Sequence, residues 1–313
     1  MSDHSRYRLA ENTPLAVLLA LCGIALFTPV FAAGKLAGGA VPALVLVWLR
    51  FFGGALTLGA VNLVKGAPEE GYISPLWRIH LLRGALAIGG LGGMIYASSV
   101  LPVADSAAIG LTKGIMAIAL AGLILGESVV ARHWIAGIVC GLGALLVVQS
   151  AAADTAGASH LALDGIIAAL LGAFFMASEA LVIRYLAQRE GTVVMLTYVN
   201  VIAALILTIP VIWIAASQSV DWSVAVWFLL LGPCAIAGQS FNVAAYRRAG
   251  AATLAPVSYS WVIFAGLLGF VLYHEVPTIE AGFGAGLIIL GGLILTMKGR
   301  LPRSIRRRQD TAL

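Results

Sequence analysis

Ten stretches of the chain hold 18 or more mainly apolar residues between charged or turn-forming positions: 14–34, 42–64, 77–100, 104–125, 132–151, 163–187, 193–215, 223–246, 252–273 and 278–297. A helix crosses a hydrocarbon core about 30 Å thick with about 20 apolar residues. In lipid such a segment satisfies its backbone groups internally. The pattern therefore predicts ten transmembrane helices with short connections, the longest polar breaks being 65–76, 152–162 and the tail 298–313. The first run follows Arg6 and Arg8 and could be read as a signal peptide cleaved near Ala32 or Ala33. Its length and the internal Pro29 favour a retained helix.

Composition strengthens this reading. Hydrophobic residues make up 61% of the chain and charged ones 11%, with a mean hydropathy of +1.00. Ordinary soluble domains run at roughly 45–50% and about 25%, so the apolar surplus must face lipid. A disordered chain and a secreted disulfide scaffold are excluded on the same grounds. The net charge of +5 comes largely from the basic C-terminal tail, which suits anionic lipid and gives no reason to expect nucleic acid. Cys22, Cys140 and Cys234 lie far apart in apolar runs and read as small core residues. With a cytoplasmic N-terminus, 16 of the 19 basic residues fall in inner segments, Lys35 alone falls outside, and Arg50 and Lys113 lie within spans. The positive-inside rule then places both termini in the cytoplasm.

Placing Glu127 over Glu275 aligns Val103–Gln149 with Ala251–Met297. Each copy reads as a small-residue helix, an acidic turn and a Gly-rich helix, with G-x-x-x-G at Gly137/Gly141 and Gly282/Gly286. Five spans per copy force the second copy to lie inverted, an arrangement suited to alternating access around a midplane site. The expected divisions are a tail 1–13 within a first repeat 1–151, a second repeat 152–297 and a basic tail 298–313.

The stretches LLRGALAIGGLGGMIYASSVLPVADSAAIGLTKGIMAIALAGLILGESVVARHWIAGIVCGLGALLVV and AGAATLAPVSYSWVIFAGLLGFVLYHEVPTIEAGFGAGLIILGGLIL resemble the two halves of an EamA-type permease of the drug/metabolite transporter superfamily. The second includes the family-like A-P-x-x-Y at Ala255, Pro256 and Tyr259. The resemblance spans residues 14 to 297. It implies an all-α integral membrane protein of ten helices in two inverted five-helix repeats, moving a small-molecule substrate across a bacterial inner membrane without a cofactor. One departure is Gly114, preceded by Lys113, where the family commonly has proline.

Charges inside spans cost about 2.5–3.5 kcal/mol on insertion scales and usually face a cavity or a partner. At about 1.5 Å per residue, Arg50 lies roughly 12 Å and Lys113 roughly 14 Å from the outer ends of their spans. Glu179 lies roughly 22 Å from outside, and Arg83 roughly 9 Å from inside, by the same rise. Lys113 reads as a contact for a carboxylate or phosphate, or as a paired or snorkelling lysine. Arg50 can brace helix carbonyls or meet substrate. Glu179 can take a substrate amine, carry a coupling proton, or pair with Arg83 or Arg184 as an inner gate. Glu127 and Glu275 order the turns.

Polar stripes add Gln239, Asn242 and Tyr246 on the eighth span, Gly92, Tyr96 and Ser99 on the third, and Ser106 with Lys113 on the fourth. On the ninth, Pro256 and Ser260 share a face with Tyr259 beside it, and Trp261 points away. Small residues, hydrogen-bonding groups and aromatic walls suit a cavity for a small amphipathic solute; interhelical hydrogen bonding is the other reading. There is no G-x-x-x-x-G-K-[ST] for an ATP motor and no H-E-x-x-H, and the five histidines show no ligand spacing. Together with the resemblance this predicts a secondary transporter, not an enzyme; the resemblance implies a small metabolite as substrate, with export of amino acids and related compounds or drugs as the first reading. Uptake of a cofactor-like metabolite such as S-adenosylmethionine or riboflavin is the alternative, and an embedded enzyme or scaffold the remote one.

Overall fold

A computed structural model describes residues 11–31, 33, 37, 40–66, 68, 71–100, 109–153, 163–273 and 279–296. Lys35, Ser106, His274, Glu275 and the tail 298–313 lie outside the described residues. The apolar runs form α1 (Thr13–Phe31), α2 (Ala43–Lys65), α3 (Trp77–Val100), α4 (Thr112–Leu125) and α5 (Ala131–Ala153) in the first half. The second half holds α6 (Leu163–Ala187), α7 (Thr192–Ser217), α8, α9 and α10 (Ile279–Thr296). Two of these are composite. α8 runs through Trp222–Ala225, the 3-10 stretch Val226–Leu230 and Leu231–Tyr246; α9 runs through Ala251–Leu254, the 3-10 stretch Pro256–Ser260 and Trp261–Tyr273. Pro233 and Pro256 lie at these changes of pitch, because proline lacks the N–H that an uninterrupted α-helix needs.

By length and composition, seven helices among the described residues can cross a membrane, and Thr112–Leu125, Ala131–Leu146 and Gly282–Gly291 are shorter apolar helices. Apolar side chains also cover the outside: Leu123 is 83% exposed, Ile209 77% and Trp213 70%. Such a surface is stable against lipid tails and not against water.

Ends are set by local chemistry. Gly126 closes α4 at φ +63°, a left-handed conformation that glycine adopts without a β-carbon penalty. Asp221 caps α8, its Oδ1 accepting from the backbone N–H of Ser223 at 3.0 Å and Val224 at 3.3 Å. The Ser223 hydroxyl and these N–H groups hold the Asp221 carboxyl below its ordinary value.

The packing repeats itself between the halves. α3 lies along α6 and α1 along α8; α2 packs on α7 and α8, α3 on α7, and α5 on α10. Exchanging the repeats turns the α1–α8 contact into α6–α3 and α2–α8 into α7–α3, and returns α2–α7 and α5–α10 to themselves. The same glycines recur at the crossings. A β-carbon on Gly23 would stand 2.8 Å from the Gly238 carbonyl oxygen, and one on Gly172 would stand 3.1 Å from that of Gly90. With a one-residue gap, Gly23 aligns with Gly172 and Gly90 with Gly238. A two-repeat, all-helical membrane architecture follows, in which the odd number of helices per repeat sets the halves antiparallel.

Candidate functional site

Three buried charges meet where the repeats cross. Arg50 on α2 is 3% exposed and Arg83 on α3 is 0% exposed. Arg83 Nε stands 3.6 Å from Glu179 Oε1 on α6, and its Nη1 donates to the Met195 carbonyl on α7 at 2.9 Å. A residue of the first repeat thus holds two helices of the second. Arg50 lies within electrostatic reach of Glu179 and Arg83. Its guanidinium carbon sits 3.9 Å from the ring centroid of Phe51 and 5.2 Å from that of Phe27, distances at which a ring face attracts a cation. Among the described residues its Nε and Nη1 have no hydrogen-bond partner, and neither do Arg83 Nη2, Asn200 Oδ1 or Gln239 Oε1. Beside Arg50, packing leaves a space of only about 10 Å³, at the lower limit for one water. The described conformation is closed there.

Two polar clusters seal the end at which α4, α6 and α8 finish. In one, Glu127 from the turn after α4 reaches the other repeat. Its carboxylate accepts from the backbone N–H of Ala251 and Ala252, each at 3.1 Å, capping the first turn of α9. Arg184 of α6 stands 3.3 Å from the same carboxylate and donates to the Tyr246 carbonyl. In the other, Glu190 between α6 and α7 meets His80 of α3 at 2.6 Å and accepts from the Ser74 hydroxyl. The Tyr198 ring stacks on His80, centroids 4.4 Å apart. Arg247 at the end of α8 donates to the carbonyls of Ala187 and Glu190 at 2.9 and 2.7 Å. Burial raises the Glu190 carboxyl, but hydrogen bonds from His80 and Ser74 and the charge of His80 outweigh it, holding it below the ordinary 4.5. No sequence spacing marks this cluster, because Ser74, His80, Glu190 and Arg247 come from separate segments; the one signal is a histidine at the start of an apolar span.

The remaining expected residues fall elsewhere. Tyr96 is half exposed near the opposite end, its hydroxyl donating to Asp164 Oδ2 at 2.8 Å, which ties α3 to the start of α6. Lys113 Nζ lies 5.8 Å from the ring centroid of Trp261. Trp261, which an α-helical wheel turns away from Pro256 and Ser260, directly follows the 3-10 stretch Pro256–Ser260. Tyr259 is 1% exposed and packs where Gly114 leaves room: a β-carbon there would stand 2.6 Å from its hydroxyl oxygen. The departure from proline at this position is thus filled by an aromatic ring. Ser260 is buried, its hydroxyl donating to the Val257 carbonyl at 2.7 Å. Gln239 and Asn242 lie on α8, the latter with its backbone at the Gly23 crossing. Among the described residues no group of His, Cys, Asp and Glu has the arrangement of a metal site.

A model of the EamA-like transporter family matches residues 14–149 and 163–297. The chain is 27% identical over 240 residues to a riboflavin transporter of Vibrio cholerae, covering 72% of this chain and 75% of that protein. It is also 27% identical to a riboflavin transporter of Brucella anthropi, covering 69% and 75%. A probable transport protein of Saccharomyces cerevisiae is 24% identical, covering 69% and 66%. A crystal structure of a protein 20% identical superposes with a TM-score of 0.73 over 93% of this chain and all of the other, a likeness of fold.

Proposed function

The chain belongs to the EamA-like transporter family, and from that premise we propose that it is a secondary transporter working by alternating access, with the Arg83–Glu179 contact as a gate between the repeats. The observation that carries the gate is that Arg83 of the first repeat is held by Glu179 and by the Met195 carbonyl of the second. Rocking one repeat against the other must part these groups. A buried pair suits this task, since its Coulomb gain roughly offsets the cost of desolvating both ions, so that breaking and remaking it near water is a balanced exchange. The Glu190 cluster joins α3 to the turn between α6 and α7, the Glu127 cluster joins the turn after α4 to α6 and α9, and both open with it. The bias of basic residues supports the reading that this end faces the cytoplasm, and the membrane of this reading is a bacterial inner membrane.

For the solute, export of amino acids and related compounds or drugs is the first reading. It now rests on the arginines and Lys113, because the cation beside Glu179 is Arg83, which leaves the carboxylate occupied against a substrate amine. Uptake of riboflavin or a similar cofactor-like metabolite is the second, favoured by the names of two relatives. Proteoliposomes loaded with riboflavin or with amino acids test both through saturable counterflow of the labelled solute. Glu179→Gln is expected to insert normally and to slow that counterflow at least about tenfold, the effect of about 1.4 kcal/mol. Unchanged flux in this variant contradicts the gate, and absence of counterflow in folded wild-type protein contradicts transport.

A further inference from the structure

Arginine keeps its charge in proteins and brings five donors. Among the described residues of the buried crossing, two guanidinium groups face one carboxylate, and that carboxylate sits beside Arg83. Among the described residues Arg50 makes no ion pair; its Nε and Nη1 are buried without acceptors, and its charge meets ring faces at close range and the Glu179 carboxylate, already beside Arg83, only at longer range. A cation left so in a low-dielectric interior is costly, and a group of this kind persists where an outside partner completes it. The space beside it is walled by Leu46, Val47, Leu91 and Leu231, contributed by helices of both repeats. From the transporter reading above, and resting on it, we propose that Arg50 is the binding site for the anionic group of the solute, so that the transported class is an organic anion whose carboxylate or phosphate meets the guanidinium fork and whose apolar body lies along those side chains. The bidentate geometry of guanidinium with carboxylate or phosphate supplies the specificity. In the described conformation the space is smaller than any such solute, so binding accompanies opening of the crossing.

The test is thermal unfolding of the purified full chain in mild detergent, using Arg50→Met and Arg50→Lys. Without solute, Arg50→Met is expected to unfold about 2–4 °C higher than wild type, the shift typical of about 1 kcal/mol in a chain of this order of size, because a buried and only partly compensated charge has been replaced by an apolar chain of similar length. A lower unfolding temperature for Arg50→Met makes Arg50 a structural brace and overturns the proposal. The probes are tryptophan, tryptophanamide, tryptamine, riboflavin, flavin mononucleotide and inorganic phosphate. Wild type should be stabilised by the carboxylate or phosphate member of a set and not by its neutral or cationic counterpart, with the response lost in Arg50→Met and reduced in Arg50→Lys. Equal protection by neutral riboflavin or tryptophanamide, protection by inorganic phosphate alone, no anion-selective response at all, or an anion response that survives in Arg50→Met each overturns it. Saturable counterflow restricted to neutral solutes would end this proposal and leave the transporter reading standing.

Discussion

Glu190 shows how much a single side chain closes. Its carboxyl is held below 4.5 by His80 and Ser74, so the folded state binds its proton more weakly than the unfolded chain does. The stability this supplies is present above the unfolded value and is lost as pH falls through the lower folded one. Glu190→Gln is expected to cost about 1–3 kcal/mol, the range for leaving a buried polar partner unsatisfied. Urea unfolding in detergent between pH 7 and about pH 3 checks this: as pH falls below the ordinary 4.5, wild type should lose stability more steeply than the variant. Lys113 carries a second prediction. If its ammonium meets solute from beside Trp261, Lys113→Met should lower counterflow about 10–100-fold, the worth of a charge-assisted contact of about 1.5–3 kcal/mol, with insertion and unfolding temperature unchanged. Normal flux removes it from the pathway. Residue roles were the least legible part of the sequence. Depth along the spans places Arg83 and Glu179 near each other at the inner mouth, and Glu127 at a turn, where its N–H meets the Ala121 carbonyl; the N–H groups 124 and 125 residues onward that its carboxylate holds have no such signal. No local pattern encodes a contact made by folding two repeats together.

At the scale of elements, each helix among the described residues falls on one of the ten apolar runs, seven of them long enough to cross and the others shorter, because length and hydrophobicity decide what lipid accepts. Their interruptions were invisible. Both 3-10 stretches lie inside apolar runs, and Trp261, beside Lys113, directly follows the one at Pro256–Ser260. Helix pairing was partly legible through glycine, and its symmetry makes a sharp prediction. Gly23→Val and Gly172→Val place a side chain against backbone at equivalent crossings, where neighbouring side chains cannot swing aside. Each should destabilise by about 1–3 kcal/mol, the usual cost of overpacking, and by similar amounts. Unfolding of the two variants in detergent measures this; a large cost at one crossing and none at the other would contradict the repeat symmetry.

For the whole molecule, the charged and polar contacts are unevenly placed. Two clusters and the Arg83–Glu179 contact lie toward the end where α4, α6 and α8 finish, and Tyr96 with Asp164 lies toward the other. Such a distribution fits one closed state of a carrier whose halves exchange roles. The central claim is that this end opens during transport. Met195 is fully buried and its carbonyl holds Arg83, so a cysteine there reports the gate. In proteoliposomes containing Met195→Cys on a background lacking Cys22, Cys140 and Cys234, the rate of alkylation by a water-soluble maleimide should rise when a solute gradient drives counterflow. It should fall back when the gradient is removed. Alkylation that stays at the resting rate while flux proceeds would contradict alternating access through this gate.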